Sequence, residues 1–218
     1  MPSLVGSEMC IRDSLEPIWV STFTADTYSC IKNRGIHAAA KKVKQALRED
    51  PEGTTFCLKL DIRKYYPSIN HDVLKSILRR KLKDKRLLRL LDEIIDSADG
   101  VPIGNYLSQY FANLYLTYFD HWIKEQKRVK HYFRYADDIV ILASDKSYLH
   151  SLMGEIRAYL GDLKLEVKGN WQVFPVAARG IDFVGYVFFH THTRMRKGIK
   201  KTFCRRLALS LIHISEPT

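Results

Sequence analysis

No apolar run in these 218 residues approaches the roughly 20 needed to cross a bilayer, so no membrane span is visible. The N-terminus also lacks the apolar core of a secretory leader: Val5-Gly6-Ser7-Glu8-Met9-Cys10-Ile11-Arg12-Asp13 is mixed throughout. Cysteine is scarce and scattered. Cys10, Cys30, Cys57 and Cys204 have no metal-ligand spacing, which argues against a zinc module or a disulfide framework and suggests a reducing compartment. Negative charge is the remaining deficit: 24 Asp and Glu stand against 35 Lys and Arg, a net charge of +11 that favours a polyanionic partner such as nucleic acid. Apolar residues make up 46% of the chain, enough for a core and against disorder.

What the chain does contain is one short stretch, Phe133 to Leu142, where two adjacent carboxylates separate two β-prone apolar runs. The pattern predicts a hairpin, Tyr132 to Tyr135 and Ile139 to Leu142, with Asp137-Asp138 at its tight turn. An Asp-Asp turn often does no more than face water. A second stretch, Phe56 to Ile62, changes the balance: an alternating strand there delivers Asp61 at its end. Two strands ending in Asp bring three carboxylates together, and these repel unless cations hold them. Hard oxygen ligands suit Mg²⁺ or Mn²⁺, and two such ions about 4 Å apart can serve phosphoryl transfer.

The flanking sequence supplies the elements. Leu15 to Tyr28 is mixed and aromatic and predicts an irregular lead-in. Lys32 and Arg34 precede Gly35 and a helix to about Leu47, and basic groups near a helix start can bind phosphate. Glu49 to Gly53 is a turn signal before the strand of Asp61. His71 to Ile95 is amphipathic with a dense basic face, either solvated or against a nucleic-acid backbone, and Asp84 predicts a break into two helices. Ser97 to Asn105 is a loop, in which Gly104 allows close approach to a ligand; Asn105, Ser108 and Gln109 supply polar groups at the start of the next helix. That helix carries Leu107, Phe111, Leu114, Tyr115, Tyr118, Trp122 and Ile123 on apolar faces. Ser147 to Gly161 predicts another helix, and Leu163 to Lys168 alternates as a strand.

Tyr135-Ala136-Asp137-Asp138 resembles the YxDD box of reverse transcriptases, and Asp61 with Tyr65-Tyr66 resembles their first palm motif; the ordered resemblance runs from Thr24 to Phe189. It implies an α+β right-hand polymerase fold: a palm of antiparallel sheet with packed helices, plus fingers, with the thumb truncated. Fingers are expected over 15–55 and 72–100, palm over 56–71 and 101–189, and the beginning of a thumb over 190–208. The resemblance further implies that Asp61 and Asp137 bridge two Mg²⁺ ions (or Mn²⁺), with Asp138 assisting and the Ile62 carbonyl available to one ion. Lys32 and Arg34 would lie near the incoming triphosphate. Tyr66 would lie beneath its sugar and exclude a 2′-hydroxyl, while Tyr65 is expected in the core. Lys168 would protonate departing pyrophosphate, and Phe183, Val184, Gly185 and Tyr186 would form the hairpin that grips the primer. The implied partners are template RNA, a DNA primer or cDNA, and deoxynucleoside triphosphates, with no membrane.

One stretch departs from most relatives, which carry Gln or Arg before the loop Gly and Ser-Pro at the helix. Here the residues are Ile103-Gly104-Asn105-x-x-Ser108-Gln109. This version resembles reverse transcriptases of diversity-generating retroelements, which copy a template-repeat RNA with errors at adenines for transfer into a variable gene. That subclass implies a small basic accessory protein and a cytoplasmic, bacterial or phage-encoded enzyme. The alternatives are a retron, group II intron or phage-defence reverse transcriptase, or a basic RNA-binding module whose carboxylates hold no productive metal.

The two ends read as opposite strands of one DNA element. A DNA encoding Ser210 to Thr218 has a frame-shifted reverse complement that encodes Val-Gly-Ser-Glu-Met-Cys-Ile-Arg, the sequence of Val5 to Arg12. Both resemble translated sequencing-adaptor DNA, so 1–14 and 209–218 are expected to be adaptor-derived tails on a fragment, for which processive synthesis is not expected.

Overall fold

The computed structural model describes residues 4–101 and 106–214. Helix α1 (Leu4–Val20) opens the chain, with Leu15 and Trp19 one turn apart and buried. The irregular lead-in expected from Leu15 is therefore corrected. Ile11, Leu15 and Trp19 form a stripe at helical spacing, which Pro17 and the mixed composition had obscured. After strand β1 (Thr27–Tyr28) comes helix α2 (Ile36–Glu49), begun at Gly35 and burying Ala39, Ala40, Val43, Ala46 and Leu47.

Strand β2 (Phe56–Asp61) leads into a single turn, α3 (Tyr65–Ser68), and then α4 (His71–Lys81) and α5 (Lys85–Ile95). The Asn70 side chain caps α4 by accepting from the Val73 N–H. The break expected at Asp84 is present: its carboxylate accepts from the Arg86 and Leu87 N–H groups and starts α5. The long helix expected over Leu107 to Ile123 is divided. α6 (Tyr106–Tyr115) stops before Leu116, α7 (Thr117–His121) follows, and Trp122–Gln126 widens to a π-turn. Trp19 packs against Tyr110 and Phe111 of α6, with ring centroids 5.6 and 5.9 Å apart.

The predicted hairpin consists of β3 (His131–Tyr135) and β4 (Asp138–Ala143). Helix α8 (Lys146–Asp162) is capped by the Asp145 carboxylate, which accepts from the Ser147 and Tyr148 N–H groups. The strand expected over Leu163 to Lys168 reduces to one bridge, Ile62 opposite Val167. Lys164 takes φ +60 and the Leu165 N–H reaches back to the Leu160 carbonyl at 2.8 Å, so the first half of the run closes the helix instead. β5 (Gln172–Pro175), the short α9 (Val176–Arg179), β6 (Ile181–Phe183), β7 (Tyr186–Phe188), β8 (Thr193–Met195) and α10 (Lys197–Ile214) complete the chain.

The larger sheet has the order β1-β3-β4-β2-β5, antiparallel except for β1 beside β3; β6-β7-β8 form a second antiparallel sheet. Side-chain alternation sorts the large sheet into two faces. Leu58, Leu60, Tyr132, Ile139 and Ile141 join the main core with α1, α4, α6, α7 and α8. Cys57, Phe133, Val140 and Leu142 point the other way, against α2 and the β6–β7 hairpin. Asp61 and Asp138 share the second face by the same alternation, at one end of the sheet.

Candidate active site

Asp61 is the last residue of β2 and Asp138 the first of β4, and the register sets them directly opposite one another. Directly opposite residues project from the same face. The two residues of the tight turn are Ala136 and Asp137, since Tyr135 pairs with Asp138; the turn lies one residue earlier than the Asp-Asp pair suggested. The Asp137 carbonyl accepts from the Ile62 N–H at 3.3 Å, which ties the turn to the end of β2. Ala136 takes φ +54, a left-handed conformation that costs an alanine energy and persists only where the surroundings impose it.

Those surroundings are a buried polar network. Arg134 donates to both carboxylate oxygens of Asp120, at 2.8 and 2.6 Å, and to the side-chain and backbone oxygens of Asn113. Its remaining bond, 3.1 Å to the Ala136 carbonyl, holds the β3–β4 turn from behind. Asp120 also accepts from Tyr132 and Thr27, and Asn113 donates to the Ser29 carbonyl. All five guanidinium donors thus have acceptors, as a fully buried charge requires. The tie also links the turn to the loop that carries Lys32 and Arg34.

Cations face the carboxylates on the other side. Lys168 Nζ lies 2.5 Å from Asp61 Oδ1, an oxygen buried and otherwise without a hydrogen-bond partner. The Lys168 N–H donates to the Asp61 carbonyl at 2.8 Å, fixing the two residues side by side. Lys59 donates to Asp138 Oδ2 at 3.4 Å and also to the backbone carbonyl of Asp182 in β6. Burial pushes the Asp138 carboxyl up to about 6, against the pull of Lys59. Asp137 is raised as well, by burial first and then by the charge of Asp61. The Asp61 contact raises Lys168.

Among the described residues, no three His, Cys, Asp or Glu side chains stand ready-arranged to hold a metal ion; ammonium groups neutralise the carboxylates instead. The donor set nevertheless fits a hard divalent cation. Asp138 Oδ1 is buried without a hydrogen bond, Asp61 Oδ1 has only the Lys168 contact, and the carboxyls crowd one another.

The other expected site residues are placed unevenly. Tyr65 is buried, as expected, with its hydroxyl donating to the Ala112 carbonyl at 2.5 Å. Tyr66 is half-buried beside it; burial raises its phenol first, with smaller contributions from Cys30, Asp137 and Tyr135, so it borders the carboxylates. Gly100, at φ +67, leaves room for the Tyr66 carbonyl, which accepts from the Val101 N–H at 3.1 Å. Ile103, Gly104 and Asn105 lie outside the described residues. Ser108 is buried and its hydroxyl has no partner among the described residues, whereas Gln109 is exposed. Lys32 is exposed; Arg34 donates to the Thr24 carbonyl at 3.0 Å and so closes its own loop. Neither pairs with a carboxylate of the site among the described residues.

The primer-grip candidates lie on the β6–β7 hairpin. Phe183 is buried in the second core, Tyr186 is half-buried, and Val184-Gly185 form the turn with φ +44 and +89. A turn positive at both positions is a primed hairpin turn, normally built from Asn and Gly. Sequence reasoning missed Lys59, Arg134, Asn113 and Asp120. The signal for Lys59 was a lysine in an apolar strand two residues before Asp61, hence on the same face. For Arg134 it was a charge inside an apolar run adjoining the turn.

The family model described as "Reverse transcriptase (RNA-dependent DNA polymerase)" matches residues 7–188. Among curated proteins, the chain is 25% identical to Protein YkfC of Escherichia coli (strain K12), over 83% of this chain and 59% of that protein. It is 24% identical to the group II intron-encoded protein LtrA of Lactococcus lactis subsp. cremoris, over 54% of this chain and 21% of that one. The chain thus spans less than two thirds of the length of these relatives. Among solved structures, apo telomerase from Candida tropicalis truncated from its C-terminal domain superposes with a TM-score of 0.67 at 12% identity, covering 86% of this chain and 45% of that one. Telomerase from Candida albicans in complex with a fragment of telomeric RNA gives 0.61 at 16% identity, covering 89% and 37%. At such identities the likeness is one of fold.

Proposed function

The chain belongs to the reverse transcriptase family, and from that premise we propose that it contributes the catalytic centre of an RNA-directed DNA polymerase. The observation that carries this reading is the pairing of Asp61 with Asp138 across β2 and β4, with Asp137 beside them in the β3–β4 turn. Asp61, Asp137, Asp138 and the Ile62 carbonyl would hold two Mg²⁺ ions, or Mn²⁺. When bound, these would supply Lewis-acid activation of a primer 3′-hydroxyl and neutralise charge on the triphosphate and the departing pyrophosphate.

The chain's own residues have distinct tasks in this reading. Asp61 and Asp138 converge from neighbouring strands, so their separation is fixed by the sheet rather than by a loop. Lys168, held beside Asp61, would give a proton to the leaving pyrophosphate. Tyr66 would close the floor under the sugar of a deoxynucleotide. Lys32 and Arg34 would meet the triphosphate, and Ile103, Gly104, Asn105, Ser108 and Gln109 would border the nascent pair. Phe183, Val184, Gly185 and Tyr186 would seat the primer end, and Lys59 couples that hairpin to Asp138.

Within the family, Ile103-Gly104-Asn105-x-x-Ser108-Gln109 supports error-prone synthesis in a diversity-generating retroelement, with template-repeat RNA and a small basic accessory protein as partners. The similarity to LtrA favours a second reading, a group II intron-type enzyme. Primer extension with Mg²⁺ on matched RNA and DNA templates tests the function. Deoxynucleotide incorporation on RNA that Asp137→Asn abolishes is the expected result; substantial synthesis by Asp137→Asn would overturn it. Misincorporation concentrated opposite adenine separates the retroelement reading from the intron reading.

A further inference from the structure

Helix α2 buries one face and leaves another bare. His37, Lys41, Lys44 and Arg48 are spaced four, three and four residues apart, so they line one stripe of the helix, and all four are exposed. The stripe forms one wall of a cleft of about 930 Å³ whose opposite wall is β7 and the β7–β8 connection. On that wall the Phe189 ring stacks on His192 at 4.6 Å and 9°, with the Arg194 guanidinium 4.7 Å from the Phe189 centroid. Among the described residues no carboxylate lines the cleft. Glu49, the nearest on α2, accepts from Gln45 and lies 3.7 Å from Arg48; among the described residues Lys41 and Lys44 have no carboxylate partner.

The cleft starts at Tyr186, beside the β6–β7 turn, and reaches His190, whose Nε2 lies 3.0 Å from the Thr54 hydroxyl. Thr54 precedes β2, and Asp61 ends it, roughly 20 Å away along a strand of this length. The cleft therefore runs from the grip hairpin towards the end of the sheet opposite the carboxylates. Unpaired cations lining a concave wall favour a polyanion. A flat ring stack beside them favours unpaired bases, because a base inside a duplex cannot offer its face.

We propose that this cleft is a second nucleic-acid site, separate from the catalytic carboxylates, that takes a single strand. Phosphates lie along Lys41, Lys44 and Arg48, and a base stacks on the exposed outer face of His192, which the Phe189 ring backs. The recognised chemistry is a phosphodiester strand with unpaired bases, common to RNA and DNA.

The test uses the full chain and fluorescence anisotropy with a labelled single-stranded RNA, a DNA of the same sequence, and the blunt duplex. Lys41→Glu/Lys44→Glu/Arg48→Glu is expected to weaken single-strand binding at least tenfold at low salt. It should also flatten the dependence of log affinity on log salt by about 2, for three lost phosphate contacts. Phe189→Ala is expected to weaken single-strand binding about fivefold or more and leave duplex binding unchanged. Equal effects on RNA and DNA indicate a strand site indifferent to the sugar, and a larger effect on RNA indicates that the 2′-hydroxyl is read; both uphold the proposal. Unchanged single-strand binding in the triple variant overturns it. So does a Phe189→Ala variant that binds as the parent does, which would leave only a general cation patch. The corresponding Lys→Gln and Arg→Gln changes, with thermal melting as a check, replace the reversals if those unfold the chain. Extension of a short pre-annealed template–primer should be unaffected by the triple variant. If it falls, the cleft belongs to the catalytic groove and the proposal fails; with a parent that extends nothing, the binding results alone decide.

Discussion

Lys59 Nζ reaches Asp138 at 3.4 Å while also donating to the Asp182 carbonyl, so one ammonium joins a carboxylate of the site to the hairpin opposite it. Lys59 and Asp138 are both about three-quarters shielded from solvent, which gives the contact more weight than a surface ion pair. Lys59→Met should leave Asp138 without its nearby cation and the hairpin without its tie. The Asp138 carboxyl should then titrate above about 6, readable by carboxyl-carbon NMR. Template–primer KM should rise and kcat should fall by about tenfold, consistent with about 1–2 kcal/mol for a partly exposed charged hydrogen bond. Lys59→Arg should recover most of the KM effect, since it keeps a cation and a donor at that position.

The raised Asp138 carboxyl makes stability depend on pH in a defined direction. Its unfolded value is about 3.9, and in the fold it is about 6, so the native state holds more proton between those limits. Stability therefore falls as pH rises through that interval: the favourable contribution is full below about 4 and lost above about 6. Asp138→Asn should remove the Asp138 share of this slope, leaving that of Asp137, and raise the melting temperature at pH 7.5 more than at pH 4.5. Mg²⁺ should raise the melting temperature of the parent above pH 6, and should do so less in Asp138→Asn. An unchanged slope in the variant would assign the pH dependence to another group.

Much of the site was legible because the sheet writes its faces into the sequence with period two. Asp61 ends an alternating strand and Asp138 begins a continuous apolar one, so their meeting followed from a hairpin and one further pairing. The Asp84 break was legible because a carboxylate interrupted a periodic run. What was not legible came from long-range partners. Arg134 and Asp120 are 14 residues apart on different elements, and nothing local shows that they neutralise each other. Leu163 to Lys168 misled because a helix-closing turn and a strand can share an alternating pattern over so few residues; only the φ of Lys164 separates them.

The Arg134–Asp120 pair is wholly buried, so breaking one side should cost more than removing both. Arg134→Met leaves Asp120 charged in the core and frees the Ala136 carbonyl, with an expected loss of about 3–5 kcal/mol in urea unfolding. The double change Arg134→Met/Asp120→Leu should recover a large part of that stability. It should not recover polymerisation, because the turn carrying Asp137 still lacks its anchor. Recovery of both together would show that the network serves stability alone.

Val184 is the most strained residue that the hairpin displays: a β-branched side chain at φ +44 in a turn whose following Gly185 takes φ +89. The left-handed region crowds a branched Cβ, and glycine or asparagine occupies it at less cost. Val184→Asn should therefore stabilise the chain by about 0.5–1 kcal/mol in thermal or urea melts, if the turn is all that matters. Yet the Val184 side chain packs against the second core beside Phe183, and its turn follows Asp182, whose carbonyl anchors Lys59. Strain kept at such a place is expected where the residue has work to do. Val184→Asn should combine higher stability with weaker template–primer binding, read as a higher KM at unchanged kcat. Higher stability with unaltered KM would mean that the turn is strained for packing and not for the primer. Lower stability would mean that the packing of Val184 outweighs its backbone cost.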